Sequence, residues 1–285
     1  MSARSALPLL NTRTQPSPAI TRLSLHPPPS RNAPIAAHRT SAAMAAHESQ
    51  MPFIRNLASS DRKLRTAALE SLQTFLASRS SLSEADAQKL WKGLFYALWM
   101  TDRPIPQQRL ATDLAGLLFQ LQPACAIPWL RGFWAVVGIQ WTGIDVLRLE
   151  KFLLLVRRVF ASHIRLAREH EYTGETVDAI VAVLADYPFE AEGDQRKVPV
   201  GIRLHALDLW IDEMEREGAL ADPAAVPFIT SLGDVILALQ RCSVKPVRER
   251  YRDSYDDERL PWGKPTNDDD EAEEEDGEEW GGFQD

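Results

Sequence analysis

The sequence predicts an all-α array of HEAT- or armadillo-like (superhelical) helical repeats, and three observations carry that expectation. Apolar residues recur at helical spacing from Pro52 to about Cys242, no stretch alternates with the period of two that a half-buried strand needs, and the helix-length segments pair off about 40 residues apart. Two-helix units of that length bury their apolar stripes only by stacking on neighbours. No repeated sequence signature accompanies the spacing, so a compact irregular helical bundle is the other arrangement the pattern allows.

The elements follow in order. Ser60 and Asp61 are capping residues for a helix with Leu64, Ala68, Leu72, Phe75 and Leu76 on one face. Ser83 and Asp86 form an aspartate version of the capping box and open the next helix, where Leu90, Trp91, Leu94, Phe95, Leu98 and Trp99 make a broad apolar stripe. Asp102-Arg103-Pro104 stops it, because a proline ring disfavours helix in the residue before. A third helix carries Leu110, Leu114, Leu117, Leu118 and Leu121 and ends at Pro123; a fourth carries Ile127, Leu130, Phe133, Trp134, Val137 and Trp141. After Gly143 the longest pattern runs from about Ile144 to Glu169, with Val146, Leu149, Leu153, Val156 and Phe160 as its apolar positions. Val177, Ile180, Val181 and Leu184 mark a shorter helix before Pro188, and a polar loop spans Glu190 to Lys197. Two last helices carry Leu204, Leu207, Ile211 and Met214, then Phe228, Leu232, Val235, Ile236 and Leu239. Paired, they give units near 61–101, 105–141, 143–187 and 199–241.

Composition divides the chain into four parts. Residues 1–50 are rich in Pro, Ser and Arg, with no acid before position 44, and seven prolines up to residue 47 exclude a continuous helix; a disordered extension is expected. The same prolines count against an organellar transit peptide, which needs an amphipathic helix. Met44 and Met51 stand just ahead of the first helical pattern and are alternative translation starts to be tested by mass spectrometry of the native N-terminus. Residues 51–242 form the helical body, 243–266 a basic and aromatic docking segment, and 267–285 an acidic tail too charged to bury. That tail holds eleven acids and no Lys or Arg. Taking them from the 40 Asp and Glu of the chain leaves 29, against 32 Lys and Arg, so the formal charge of -8 belongs to the tail and not to the body. A near-neutral body makes no composition-level case for a dedicated nucleic-acid binder, yet leaves room for a local basic face.

The motifs that announce catalysis are missing: no Gly-rich phosphate loop ending in Lys-Ser/Thr, no His-Glu-x-x-His, no Gly-x-Ser-x-Gly. Cys125 and Cys242 are too far apart in sequence to suggest a disulfide framework or a metal-ligand spacing. His163 and His170 share a helix face by spacing but lack a third ligand. The longest uncharged stretch, Leu114–Leu130, is interrupted by Pro123 and Pro128 and is not a membrane span. The expectation is a chain without cofactor, without membrane and without enzymatic activity.

Candidate contact residues come instead from surface chemistry. The Asp102-Arg103 turn beside the aromatic helix is a place for a partner. Asp145, Arg148, Lys151 and Arg158 follow spacings of three, three and seven, with Arg157 adjacent, and make a ridge for RNA phosphates or an acidic partner; a solvated face of local ion pairs is the plain alternative. Lys245, Arg248, Arg250 and Arg252, interleaved with Tyr251 and Tyr255, are a third basic candidate.

Three segments resemble the ribosomal RNA-processing protein 1 family of nucleolar proteins: KLWKGLFYALWMTDRP (Lys89–Pro104), GIDVLRLEKF (Gly143–Phe152) with Arg157-Arg158, and PVGIRLH (Pro199–His205) ahead of Asp212-Glu213. The likeness covers about Pro52 to Leu239. It implies an all-α repeat-like fold and an assisting role, in the nucleus and nucleolus, on early precursors of the large (60S) ribosomal subunit. Other assembly factors and the pre-ribosomal particle would be the partners, with precursor ribosomal RNA within reach. The Pro-rich leader lies outside the family pattern, the acidic ending differs from the long basic extensions of larger relatives, and Arg248 to Arg252 is only a sparse import signal. A generic HEAT-like adaptor of another complex is the alternative reading.

Overall fold

A computed structural model describes residues 52–57, 59 and 61–263. The leader with Met44 and Met51, the Ser60 cap and the acidic run lie outside the described residues. Ten α-helices are present, with no strand among the described residues. They are α1 (Pro52–Leu57), α2 (Arg62–Ala77), α3 (Glu84–Trp99), α4 (Pro104–Gly116), α5 (Pro123–Gln140), α6 (Val146–Glu169), α7 (Glu175–Asp186), α8 (Val200–Arg216), α9 (Val226–Leu237) and α10 (Lys245–Tyr255).

Local chemistry sets the boundaries. Asp61 accepts the Lys63 amide at 2.8 Å and so caps α2. Ser83 Oγ accepts the Asp86 amide at 3.1 Å and donates to the Asp86 carboxylate at 2.9 Å, the expected capping pair of α3. Prolines do more than end helices: Pro104 and Pro123 each sit in a first turn, where the missing N–H has no partner to lose. The third helix therefore ends earlier than its leucines suggest, at Gly116. Leu117–Gln120 tighten into a 3₁₀ turn and Pro123 opens α5, which also holds Pro128 in its interior.

Most of the widest contacts join every second helix, the exception being α1 against its neighbour α2. One layer runs α1–α3–α5–α7–α9 and the other α4–α6–α8–α10, the arrangement of stacked two-helix units that the 40-residue spacing predicts. The closest joint is α3 on α5: a Cβ on Gly132 would stand 2.7 Å from Ala87 Cβ, so glycine permits this approach. Trp91 of α3 packs on Trp129 and Phe133 of α5 at ring-centroid distances of 4.7 and 4.9 Å, and its indole N–H donates to the Trp129 carbonyl at 3.0 Å. Burial of Trp91, Trp129, Trp134 and Trp210 makes these rings the largest apolar blocks of the core.

The body does not stop at Cys242. α10 packs on α8 and α9, with Val247 and Tyr251 buried, and the following turn carries Trp262 onto Gly233. One apolar stretch that the sequence reading passed over, Pro223–Arg241, has the length and composition to cross a bilayer. In the fold it is a 3₁₀ turn, α9 and a second 3₁₀ turn, and Phe228, Ile229, Leu232 and Ile236 are buried in the core.

His163 lies in the middle of α6 with no exposed surface. Trp134 Nε1–H donates to its Nε2 at 3.2 Å, and because indole is only a donor the ring proton must sit on Nδ1, which donates to the Val159 carbonyl at 2.8 Å. Burial lowers its pKa from 6.5 to about 4. Between those two values the unfolded chain takes up a proton that the folded chain refuses, so stability is full above pH 6.5 and falls as pH drops toward 4, by on the order of 3 kcal/mol. Urea denaturation of the native chain and of His163→Gln measures this: the native chain should lose that increment relative to the variant across the window, and parallel pH profiles would contradict the buried neutral tautomer.

Candidate docking edge

Asp102, Asp145, Arg148 and Lys151, four of the residues singled out by sequence, meet where α3 ends and α6 begins, and a buried ammonium joins the two helices. Lys151, in the second turn of α6, is only 4% exposed. Its Nζ donates to the Trp99 carbonyl at 2.7 Å and the Thr101 carbonyl at 3.0 Å, with Asp102 Oδ1 at 3.8 Å. Those carbonyls are left over at the C-terminus of α3, where the helix dipole favours a cation. Loss of hydration pushes the Lys151 pKa down, against the pull of Asp102. Around this contact Phe95 stacks on Phe152 at 4.2 Å, and the Arg148 guanidinium, which pairs with Asp145, lies 5.2 Å from the Trp99 ring. The hydrogen bond to Arg148 in turn holds the Asp145 carboxyl below its usual range.

The proposed basic ridge is thus not a row of free cations. Lys151 faces inward and serves α3. Arg157 turns toward α8, where it binds buried Glu213 and, at 3.3 Å, Asp212; Arg216 reaches the same Glu213 at 3.2 Å. Arg158 is half-buried. Spacing alone could not show that Lys151 is taken up by the end of α3 and Arg157 by α8. The third basic candidate is largely paired: exposed Arg250 pairs with Asp208, exposed Lys245 with Glu249, and half-buried Arg248 donates to the Cys242 carbonyl, while Arg252 is exposed in the last turn of α10. His163 and His170 part company, one buried and the other exposed.

The Pro199–His205 segment has a comparable internal role. Arg203 is fully buried, and its guanidinium binds the Glu190 carboxylate and carbonyl and the carbonyls of Val198 and Asp194. The Glu190 carboxylate accepts the amides of Glu192, Gly193 and Asp194. Desolvation raises its pKa, but the bonds from Arg203 and those amides outweigh it, and the net shift is downward. One ion pair therefore shapes the whole polar loop from Glu190 to Lys197.

What the edge presents outward is apolar. Eight large hydrophobic side chains are exposed among the described residues, and six of them, Tyr96, Met100, Ile105, Ile139, Val146 and Leu147, lie at the α3–α4 and α5–α6 turns. These turns adjoin: Tyr96 Oη–H donates to Gln140 Oε1 at 3.2 Å, and Arg148 and Lys151 reach back to Trp99 and Thr101. Asp102 and Arg103 rim the patch, both exposed. Val146 is 80% and Leu147 91% exposed, the reverse of the core position that periodicity assigns to Val146. Both residues open α6, just after the 3₁₀ turn Trp141–Gly143. An apolar cluster with a charged rim is the composition of a protein-binding surface.

Comparison with known proteins bears on what that surface serves. The family described as nucleolar protein Nop52 matches residues 48–282. The chain is similar to ribosomal RNA processing protein 1 homolog B of Homo sapiens, 28% identical over 182 residues, covering 62% of this chain and 24% of that protein. The Drosophila melanogaster homolog is 29% identical over 173 residues, 59% of this chain and 25% of the relative. The Caenorhabditis elegans homolog is 25% identical over 194 residues, 65% and 48% respectively. The chain thus spans about a quarter of the human and fly proteins and about half of the worm one.

The Lys151 contact predicts an asymmetry between its partners. Lys151→Ala leaves the Trp99 carbonyl without its buried donor, while the Thr101 carbonyl keeps the Gln107 amide at 2.8 Å, and should lower stability by about 1–3 kcal/mol. Asp102→Asn, on an exposed side chain, should change it by less than about 0.5 kcal/mol. Thermal or urea unfolding of both variants checks this; equal effects would remove Lys151 from its structural role.

Proposed function

The chain belongs to the Nop52 family of nucleolar proteins, and on that premise we propose that it is a non-catalytic helical scaffold in the processing of precursor ribosomal RNA, acting on assembly of the large ribosomal subunit. The observation that carries the reading is the apolar edge of Met100, Ile105, Ile139, Val146 and Leu147 on a body whose buried charges already have partners. Lys151, Arg203 and Glu213 are taken up by a helix end, a loop and two arginines. Side chains committed in this way hold helices in register and are not free to shuttle protons or attack a substrate.

The relatives are named for ribosomal RNA processing, which supports the pathway. The scaffold meets a protein component of the precursor particle through the apolar edge, with Arg103 and Asp102 setting orientation. Steric fit and apolar burial then provide affinity, and the charged rim provides discrimination. In nucleoli the chain would hold its neighbours in place while separate enzymes cut the RNA.

Met100→Asp with Leu147→Asp tests the edge without touching the core. A tagged native chain should cosediment with particles containing large-subunit precursor RNA, and the double variant should leave that fraction while keeping its melting temperature within a few degrees. Unchanged cosedimentation of the variant would reject the edge, cosedimentation with small-subunit precursors would reject the subunit assignment, and cleavage of a precursor transcript by the purified chain would reject the non-catalytic role.

A further inference from the structure

Between α2 and α3 the chain crosses the surface as Ser78-Arg79-Ser80-Ser81-Leu82-Ser83, and every one of these residues except Leu82 is exposed. Residues 80–82 form no backbone–backbone hydrogen bond among the described residues, so an enzyme can draw them into an extended line without breaking a helix turn. The four hydroxyls are not equivalent. Ser78 donates to the Phe75 carbonyl at 2.8 Å, and Ser83 accepts the Asp86 amide and donates to the Asp86 carboxylate as the cap of α3. Ser80 and Ser81 enter no hydrogen bond among the described residues, and of these two only Ser81 has an acid three positions on, Glu84. The Glu84 side chain is 51% exposed and stands 3.7 Å from Arg131, a guanidinium that lies closer, at 2.7 Å, to Asp186. Its carboxylate is therefore open to a cation from outside. The nearest base in the loop, Arg79, has its guanidinium over the Phe75 ring at 4.7 Å.

We propose that Ser81 is the phosphoacceptor of an acid-directed protein kinase, which recognises Glu84 three residues beyond it. Kinases select substrates by the charge pattern around the acceptor, and one that prefers acids downstream presents cations there. The transfer balances with ATP as phosphoryl donor. Ser81 Oγ attacks the γ-phosphorus, the Oγ–P bond forms as the bond to the β,γ-bridging oxygen breaks, ADP leaves with that electron pair, and the hydroxyl proton passes to a carboxylate of the kinase. The same spacing fails elsewhere for structural reasons. By sequence Ser83 is the stronger match, with Glu84 and Asp86 one and three positions on, but its hydroxyl is committed to the cap. Thr142 precedes Asp145, which Arg148 already holds; Ser231 lies inside α9; Ser254 is buried and accepts the Trp210 indole N–H. A phosphate on Ser81 adds about two negative charges two residues ahead of the α3 cap, where the helix dipole favours an anion. It stands at the end of this 16-residue helix opposite Met100, so the apolar edge stays open.

Incubation of the full folded chain with ATP and a purified acid-directed kinase, followed by peptide mapping in a mass spectrometer, tests the assignment. Phosphate should appear on Ser81 and not on Ser83. Thr266 has Asp269 at the same spacing and lies outside the described residues, and mapping separates its peptide from that of the loop. Glu84→Gln should slow modification of Ser81 about tenfold, as the loss of one charge contact to the kinase does. Glu175→Gln, an exposed acid elsewhere, should leave the rate as it was, and the thermal melts of all three proteins should agree. Absence of phosphate on Ser81, phosphate on Ser83 in its place, or an unchanged rate for Glu84→Gln would overturn the proposal. So would modification of Ser81 only after heat unfolding, or faster modification by an arginine-directed kinase. None of these results alters cosedimentation with precursor particles, so the scaffold reading stands or falls separately.

Discussion

Placing one ammonium group out of water constrains much of this structure. Lys151 surrenders its hydration only because α3 ends beside it with two carbonyls that no helix turn can satisfy. Each side meets the other's unmet need, and the result fixes the end of α3 to the start of α6 across the layer boundary. Phe95 on Phe152 and Arg148 against Trp99 then follow as packing around a fixed point. Arg203 with Glu190 repeats the principle in the loop ahead of α8, and Arg157 with Glu213 repeats it between α6 and α8. Buried ion pairs of this kind contribute little net stability compared with apolar replacements, but losing one partner is costly, so they specify register more than they add strength.

This division of labour explains why an apparently basic motif set is mostly not a basic surface. The charges are consumed inside, at joints between helices, and the outward face of the same segments is left to Met100, Ile105, Val146 and Leu147. The proposed scaffold role would gain from that arrangement: the exposed apolar side chains stand on turns whose backbone is held from behind, so little order would have to be gained on binding.

The helical class, the capping pair at Ser83 and Asp86 and the pairing of helices were legible because each is written in local spacing. Burial of charge was not. A lysine three residues past an arginine looks the same in sequence whether it faces water or a helix end, and only the partner 50 residues away decides it. Val146 illustrates the converse, since its period fits the core while its place in the first turn of α6 puts it outside. The seating of α10 was hidden for a similar reason: its strongly polar sequence masks Val247 and Tyr251, which are buried where it packs on α8 and α9.

Amide hydrogen exchange of the chain, free and within the isolated precursor particle, addresses the central claim that internal charge bracing leaves one apolar edge for docking. The account predicts new protection of the amides in the α3–α4 turn and at the start of α6, with the amides around Arg203 already slow in the free chain and unchanged on assembly. Rapid exchange around Arg203 and Lys151 in the free chain, or protection confined to surfaces away from Met100 and Leu147, would contradict it.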